Sequence, residues 1–242
     1  MTARLLPLAL VAVLSGCTID TTPTQQLPKP STDYATDEIY PSSSAQDDGT
    51  SLTVYAALLA KGNFLVLGST DRFVATVGQG PESVLASQGQ TYEPHYAATF
   101  ASSPDAIDVT LTLDRAGSDD PSIVFHMPPA FALDGTPPSA VKNNVSINVA
   151  LLPLPRADDG TYGAVLEGDC VPAATNARVN ILGGMLNLVF ADAVKSDGPA
   201  SCAATVKVQH IYPATVSPQC VKPAQPDAVG IRERRFAVTV TR

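Results

Sequence analysis

The sequence predicts an all-β protein: two β-sandwich domains in tandem behind an N-terminal leader and a flexible tether. Three observations carry that expectation. Apolar and polar residues alternate with period two in short runs through residues 50–242, turn residues recur between the runs, and apolar residues nowhere repeat convincingly at helical spacing. Of the 242 residues 45% are apolar, enough to bury a core, while aromatics reach only 6% and Trp is absent, a composition of short strands rather than long helices. Only 16% of residues are charged, the formal net charge is −8, and the one Lys/Arg-dominated run is residues 232–235, so no nucleic-acid partner is expected.

Residues 1–16 read as an export signal. A single charge, Arg4, precedes an apolar run over 5–14 interrupted only by Pro7. The run is half the length of about 20 residues that a spanning helix requires, so it is a leader to be removed rather than a membrane span. Its end, Leu14-Ser15-Gly16-Cys17, resembles the lipobox of bacterial lipoproteins. The resemblance covers these first residues alone. It implies that Cys17 becomes the mature N-terminus and carries acyl chains such as palmitate; each buried methylene contributes about 0.8 kcal/mol, so several chains hold the protein to a membrane. Thr18 follows, not the Asp that resembles an inner-membrane retention signal, which makes the outer membrane the expected address, with its periplasmic and outer faces both open.

Residues 17–49 read as a disordered tether. They hold Pro23, Pro28, Pro30 and Pro41, many Ser, Thr and Gln, and the acids Asp20, Asp33, Asp37, Glu38, Asp47 and Asp48 against Lys29, too little apolar surface to fold and enough like charge to stay extended.

The first sandwich is expected over 50–136. Leu52, Val54, Ala56 and Leu58 share one parity, as do Phe73, Ala75 and Val77, then Tyr96, Ala98 and Phe100, then Val109, Leu111 and Leu113. Such runs are strands with one face in a core and the other in water. Lys61-Gly62-Asn63, Gly78-Gln79-Gly80-Pro81 and Ser102-Ser103-Pro104 supply turns between them. Asp134-Gly135-Thr136-Pro137-Pro138-Ser139 reads as the joint, since two prolines in series do not fit a central strand.

The second sandwich is expected over 137–242, with Val145, Ile147, Val149 and Leu151 on one parity and further strands over 162–170, 178–182, 185–191, 202–212 and 234–241. Each half has the length and strand rhythm of an immunoglobulin-like sandwich. The second resembles the immunoglobulin-like modules of exported bacterial lipoproteins, with one Cys near the end of an early strand and another starting a later one. It departs from the antibody pattern in lacking the core Trp.

Besides Cys17 there are Cys170, Cys202 and Cys220, so an oxidising compartment leaves one disulfide and one thiol. Cys170 shares the parity of Ala164 and Leu166, and Cys202 that of Ala204, Val206 and Val208, which favours Cys170–Cys202 with Cys220 free; Cys202–Cys220 remains the alternative. A nucleophilic Cys220 needs a base, and none of His95, His126 or His210 is close to it in sequence.

The remaining motifs point away from catalysis. Asp47-Asp48-Gly49, Asp119-Asp120 and Asp158-Asp159-Gly160 offer oxygens that calcium takes, but at no EF-hand spacing, and Asp-Gly is also ordinary turn chemistry. The three histidines make no zinc motif, a Gly-x-Ser-x-Gly elbow is absent, and Gly78-Gln79-Gly80 runs into Pro81 rather than a phosphate-binding helix. Arg232, Arg234 and Arg235 around Glu233 suit a phosphate, a carboxylate or an anionic glycan, or else a solvated strand edge that resists pairing. Asn144-Val145-Ser146 has the form of a glycosylation triplet, which has little force in a bacterial cell.

The expectation is therefore a lipid-anchored envelope protein that binds or bridges, without cofactor or metal, its partners a membrane through Cys17 and an envelope protein or glycan. The alternatives are an envelope hydrolase whose acidic loops converge as paired carboxylates at the joint, and a spacer stiffened by calcium.

Overall fold

A computed structural model of the chain describes residues 27–89, 92–116, 120–155, 160–172, 175–191, 193–195, 198–217 and 228–242. The leader, Cys17 and Cys220 lie outside the described residues, as do Asp119, Asp158 and Asp159.

Strands appear where alternation predicted them. In the first module they are β1 (Lys29–Pro30), β2 (Ile39–Asp47), β3 (Ser51–Ala60), β4 (Asn63–Val66), β5 (Arg72–Val77), β6 (Ser83–Val84), β7 (Ala86–Ser87), β8 (His95–Ala101), β9 (Ile107–Asp114) and β10 (Ser122–Met127). β3 shows the cause: Leu52, Val54, Ala56, Leu58 and Ala60 are buried, while the residues between them face outward. Lys61 and Gly62 both take positive φ, the geometry of the tight hairpin turn that joins β3 to β4.

One sheet runs β7–β8–β3–β2, with β4 and β1 beside the end of β3, and the other runs β6–β5–β9–β10. Between them lies one core that includes Leu52, Val54, Phe73, Leu111, Leu113, Ile123 and Phe125.

The second module holds β11 (Ala132–Leu133), β12 (Ala140–Lys142), β13 (Ser146–Leu152), β14 (Thr161–Glu167), β15 (Thr175–Leu182), β16 (Met185–Phe190), β17 (Ser201–Pro213), β18 (Thr215–Val216) and β19 (Ala228–Thr241). Its sheets run β11–β13–β16–β15 and β14–β17–β19–β12, bridged by a short β14–β15 pairing. Val149, Leu151, Leu166, Leu188, Phe190, Val206, Val208 and Val240 fill the space between. Both strand orders are those of an immunoglobulin-like sandwich, A-B-E-D facing C-F-G, and β12 adds the parallel partner that such domains place beside their last strand.

Cys170 and Cys202 form a disulfide with Cα atoms 6.2 Å apart. It ties the segment after β14 to the start of β17, whereas antibody domains bridge their second and sixth strands.

The modules share strands. β17 and β19 run past the end of the second sandwich as one long hairpin. The first residues of β19 pair in parallel with β2, from Ala228 opposite Ser43 to Arg232 opposite Asp47, and β18 pairs with β10 on the opposite sheet. Ala228 is buried in the first module's core, with Ala214 and Val216 packed against it. One hairpin of the second module thus lends an edge strand to each sheet of the first, and a single sheet continues through β8, β3, β2, β19, β17 and β14.

Three expectations are corrected. The tether does not extend to Gly49: Ile39, Ala45 and Asp47 of β2 are buried, and Ser31 is fully buried. That N-terminal stretch is pinned by Arg115, whose guanidinium donates to the carbonyls of Ser31 and Tyr34 and to the Thr36 hydroxyl while its Nε lies 3.2 Å from the buried Asp71 carboxylate. The joint is not Asp134–Ser139 but the stretch Pro128-Pro129-Ala130, because Phe131 already belongs to the second core and Pro137-Pro138 connect β11 to β12 inside that module. Val145 is not inward; it sits exposed in the turn before β13.

Candidate binding cleft at the joint

Apart from the half-buried Arg234, the even-numbered residues of β19 are buried, so the parity of Phe236, Val238 and Val240 carries back through Arg232 to Gly230 and Ala228. Arg232 is consequently fully buried. Its guanidinium pairs with the buried Asp47 carboxylate and donates to the carbonyls of Ser103 at 2.7 Å, Asp105 at 2.9 Å and Pro128 at 3.1 Å. Asp47 also accepts the Gly49 N–H at 2.7 Å and the Ser102 hydroxyl on both oxygens. Burial holds the Arg232 pKa below its ordinary value, a shift that Asp47 opposes only in part. A side chain of the second module's hairpin thus closes the end of the first. Gly230, one inward step earlier, lets β19 pass close over Met127: a Cβ there would lie 2.6 Å from the methionine sulfur.

Beyond Asp47 the chain turns away from β19 into β3, and the divergence opens a cleft of about 210 Å³. Asp48, Ser51, Thr53 and Tyr55 wall its first-module side, and Lys207, Gln209 and Arg235 the other, above a floor of Ile231 and Glu233. The charges are paired internally. Glu233 accepts Arg235 Nε at 2.6 Å on one oxygen and Gln209 Nε2 at 3.0 Å on the other, and Lys207 donates to Glu167 at 2.7 Å. The bond to Glu233 raises the Arg235 pKa. Asp48 accepts the N–H groups of Ser51 and Thr50, which lower its pKa. Arg234 faces the other side of β19, donating to the Glu233 carbonyl and stacking 5.5 Å from the Phe131 ring centroid.

The residues marked out in the sequence fall into place differently. The arginine run is neither a bare anion site nor a solvated edge: Arg232 is a buried tie, Arg234 covers an aromatic ring, and Arg235 lines the cleft. The paired carboxylates expected at the joint do not form from Asp47, whose partner is an arginine, nor from Asp120, which accepts the Arg115 N–H. Asp48 is turn chemistry. Among the described residues no three of His, Cys, Asp and Glu gather to hold a metal ion.

His210 is buried against Tyr162, stacked at 3.9 Å, with the Tyr212 hydroxyl on its Nδ1. His126 bridges Asp108 at 2.8 Å and the Thr215 hydroxyl at 3.2 Å. That order of groups is a hydrolase triad's, but His126 and Asp108 are 57% and 64% exposed on an open sheet face, where water is not excluded. Its effect is to fasten β18 to the first module. His95 stays near its own loop, 3.3 Å from the Glu93 carbonyl.

No family model matches the chain, and no curated protein does. Among solved structures it is similar to the tandem Ig repeats of Dlar, at 10% identity over 84% of this chain and 96% of that one with a TM-score of 0.32. The N-terminal Ig1-2 module of the Drosophila receptor protein tyrosine phosphatase DLAR gives 9% identity, 84% and 97% coverage and a TM-score of 0.32. A chimeric titin Z1Z2 gives 10%, 86% and 97%, and 0.25. At such scores the two halves are immunoglobulin-like by their own strand order rather than by superposition.

Proposed function

We propose that the protein is a lipid-anchored component of the cell envelope that presents a stiff pair of immunoglobulin-like modules as a binding or bridging unit. The observation that carries the stiffness is the hairpin of β17 and β19, which supplies edge strands to both sheets of the first module and locks them with Arg232 and Asp47. What supports the anchor is the Leu14-Ser15-Gly16-Cys17 motif behind an h-region of export length. Acyl chains on Cys17 hold the protein to the outer membrane, and the disulfide suits that oxidising side.

Because β1 begins at Lys29, the link from Cys17 is short. At about 3.3–3.6 Å per extended residue it reaches roughly 40 Å at most, so the modules work close to the membrane. Partners are envelope proteins or glycans met at the joint cleft. Mass spectrometry of the protein from native membranes tests the reading: an acylated Cys17 with Cys220 unpaired supports it, and an unmodified N-terminus removes the anchor.

A further inference from the structure

We propose that the joint cleft is a binding site for a neutral polysaccharide, held by its hydroxyl groups and stacked on Tyr55. The inference rests on reading the protein as an envelope binding module and names its ligand class.

The internal pairing of the cleft sets the ligand's charge. Glu233 accepts from Arg235 and Gln209, and Lys207 donates to Glu167, so each of these charges is met by a partner within the protein. With Asp47 tied to Arg232, the lining holds Asp48 and Glu233 against Lys207 and Arg235, two charges of each sign. An anionic chain would meet Asp48 and Glu233 on a protein of net charge −8, and a cationic one would meet Arg235 and Lys207.

What the walls offer is a set of short-range polar groups: the hydroxyls of Ser51 and Thr53, the amide of Gln209, the second carboxylate oxygen of Asp48 and the terminal guanidinium nitrogens of Arg235. A planar guanidinium and a carboxylate facing each other match adjacent hydroxyls, which donate and accept at once. Tyr55, 38% exposed, adds an apolar ring face against which the C–H side of a sugar ring packs.

The surroundings suit a chain rather than a single sugar. On the far side of Tyr55 the same sheet face continues as a shallow depression lined by Ser42, Ser44, Ala57, His95 and Val229. The serine and alanine side chains there leave room for a neighbouring unit beyond the ring. Strand sharing fixes both walls of the cleft relative to each other, so little ordering is needed on binding.

The test is isothermal titration of the full chain with maltohexaose, cellohexaose and mannohexaose, alongside an oligogalacturonate and a tetra-alanine peptide. Saturable binding of at least one neutral hexasaccharide is expected. Tyr55→Ala should weaken it by about tenfold or more and Tyr55→Phe by less than about threefold, since the ring does the stacking. Arg235→Lys should weaken it by about tenfold through loss of the planar fork, whereas Thr239→Ala, exposed on the same strand outside the cleft, should change nothing. Binding of none of the three neutral sugars, tighter binding of the oligogalacturonate or the peptide, or unchanged binding by Tyr55→Ala overturns the proposal. If the protein meanwhile carries an acylated Cys17, the anchored-module reading stands and only the ligand class falls.

Discussion

Replacing Arg232 by Met is the most searching perturbation of the joint. The substitution keeps a long side chain but removes a guanidinium that neutralises Asp47 and satisfies the carbonyls of Ser103, Asp105 and Pro128. Both members of the pair are 0% exposed, so Asp47 would be left as a buried carboxylate with only the Ser102 hydroxyl and the Gly49 N–H as donors. Breaking a buried ion pair from one side costs about 3–5 kcal/mol. At about 2–4 °C per kcal/mol for a protein of this size, the melting temperature should fall by roughly 6–20 °C. Differential scanning calorimetry is the assay. The double variant Asp47→Asn/Arg232→Met should recover part of the loss, because it no longer buries a charge. A drop below about 2 °C for Arg232→Met, or a double variant no better than the single, would refute the reasoning by showing that water reaches the pair.

Other perturbations follow from the same geometry. Cys170→Ser opens a covalent loop of sequence separation 32, worth about 3–4 kcal/mol in the chain-entropy model, and should lower the unfolding midpoint in guanidinium of the whole shared-strand unit. Gly230→Val drives a side chain into Met127 and should cost about 1–3 kcal/mol by overpacking; Met127→Ala in the same chain should relieve part of that, as read by urea unfolding. Asp48 and Glu38 have pKa values lowered in the folded state, Asp48 first by the Ser51 N–H and Glu38 first by the Ala35 N–H. Their stabilisation is therefore present above the ordinary carboxylate range and lost as pH falls through the lowered values. The melting temperature should hold from about pH 8 to 5 and fall below about pH 4, and Asp48→Ala should flatten part of that fall.

Alternation made β3, β5, β9 and the last half of β19 legible, since their inward positions carry Leu, Val, Phe and Ile. β2 was hidden because after Ile39 its inward set is Pro41, Ser43, Ala45 and Asp47, small or polar residues whose burial rests on a neighbouring strand and an arginine far along the chain. A run of three arginines reads as surface, yet the parity of Phe236, Val238 and Val240 extended backward places Arg232 inside, a signal present in the sequence and outweighed by charge. The disulfide was readable from parity in its pairing, though not in its strand context, for Cys170 lies past the end of β14. Strand sharing between modules left no local mark: β2 and the start of β19 are parallel partners nearly two hundred residues apart, and only the assembled sheet brings Tyr55 and Arg235 into the lining of one cleft.

Amide hydrogen exchange over Ala228–Arg232 tests the shared sheet most directly. If these residues are β2's parallel partners, their amides should exchange as slowly as those of Phe236, Val238 and Val240, opening only with global unfolding. Exchange of that segment within seconds, while the rest of β19 stays protected, would contradict the account and leave two sandwiches joined by a loose hairpin.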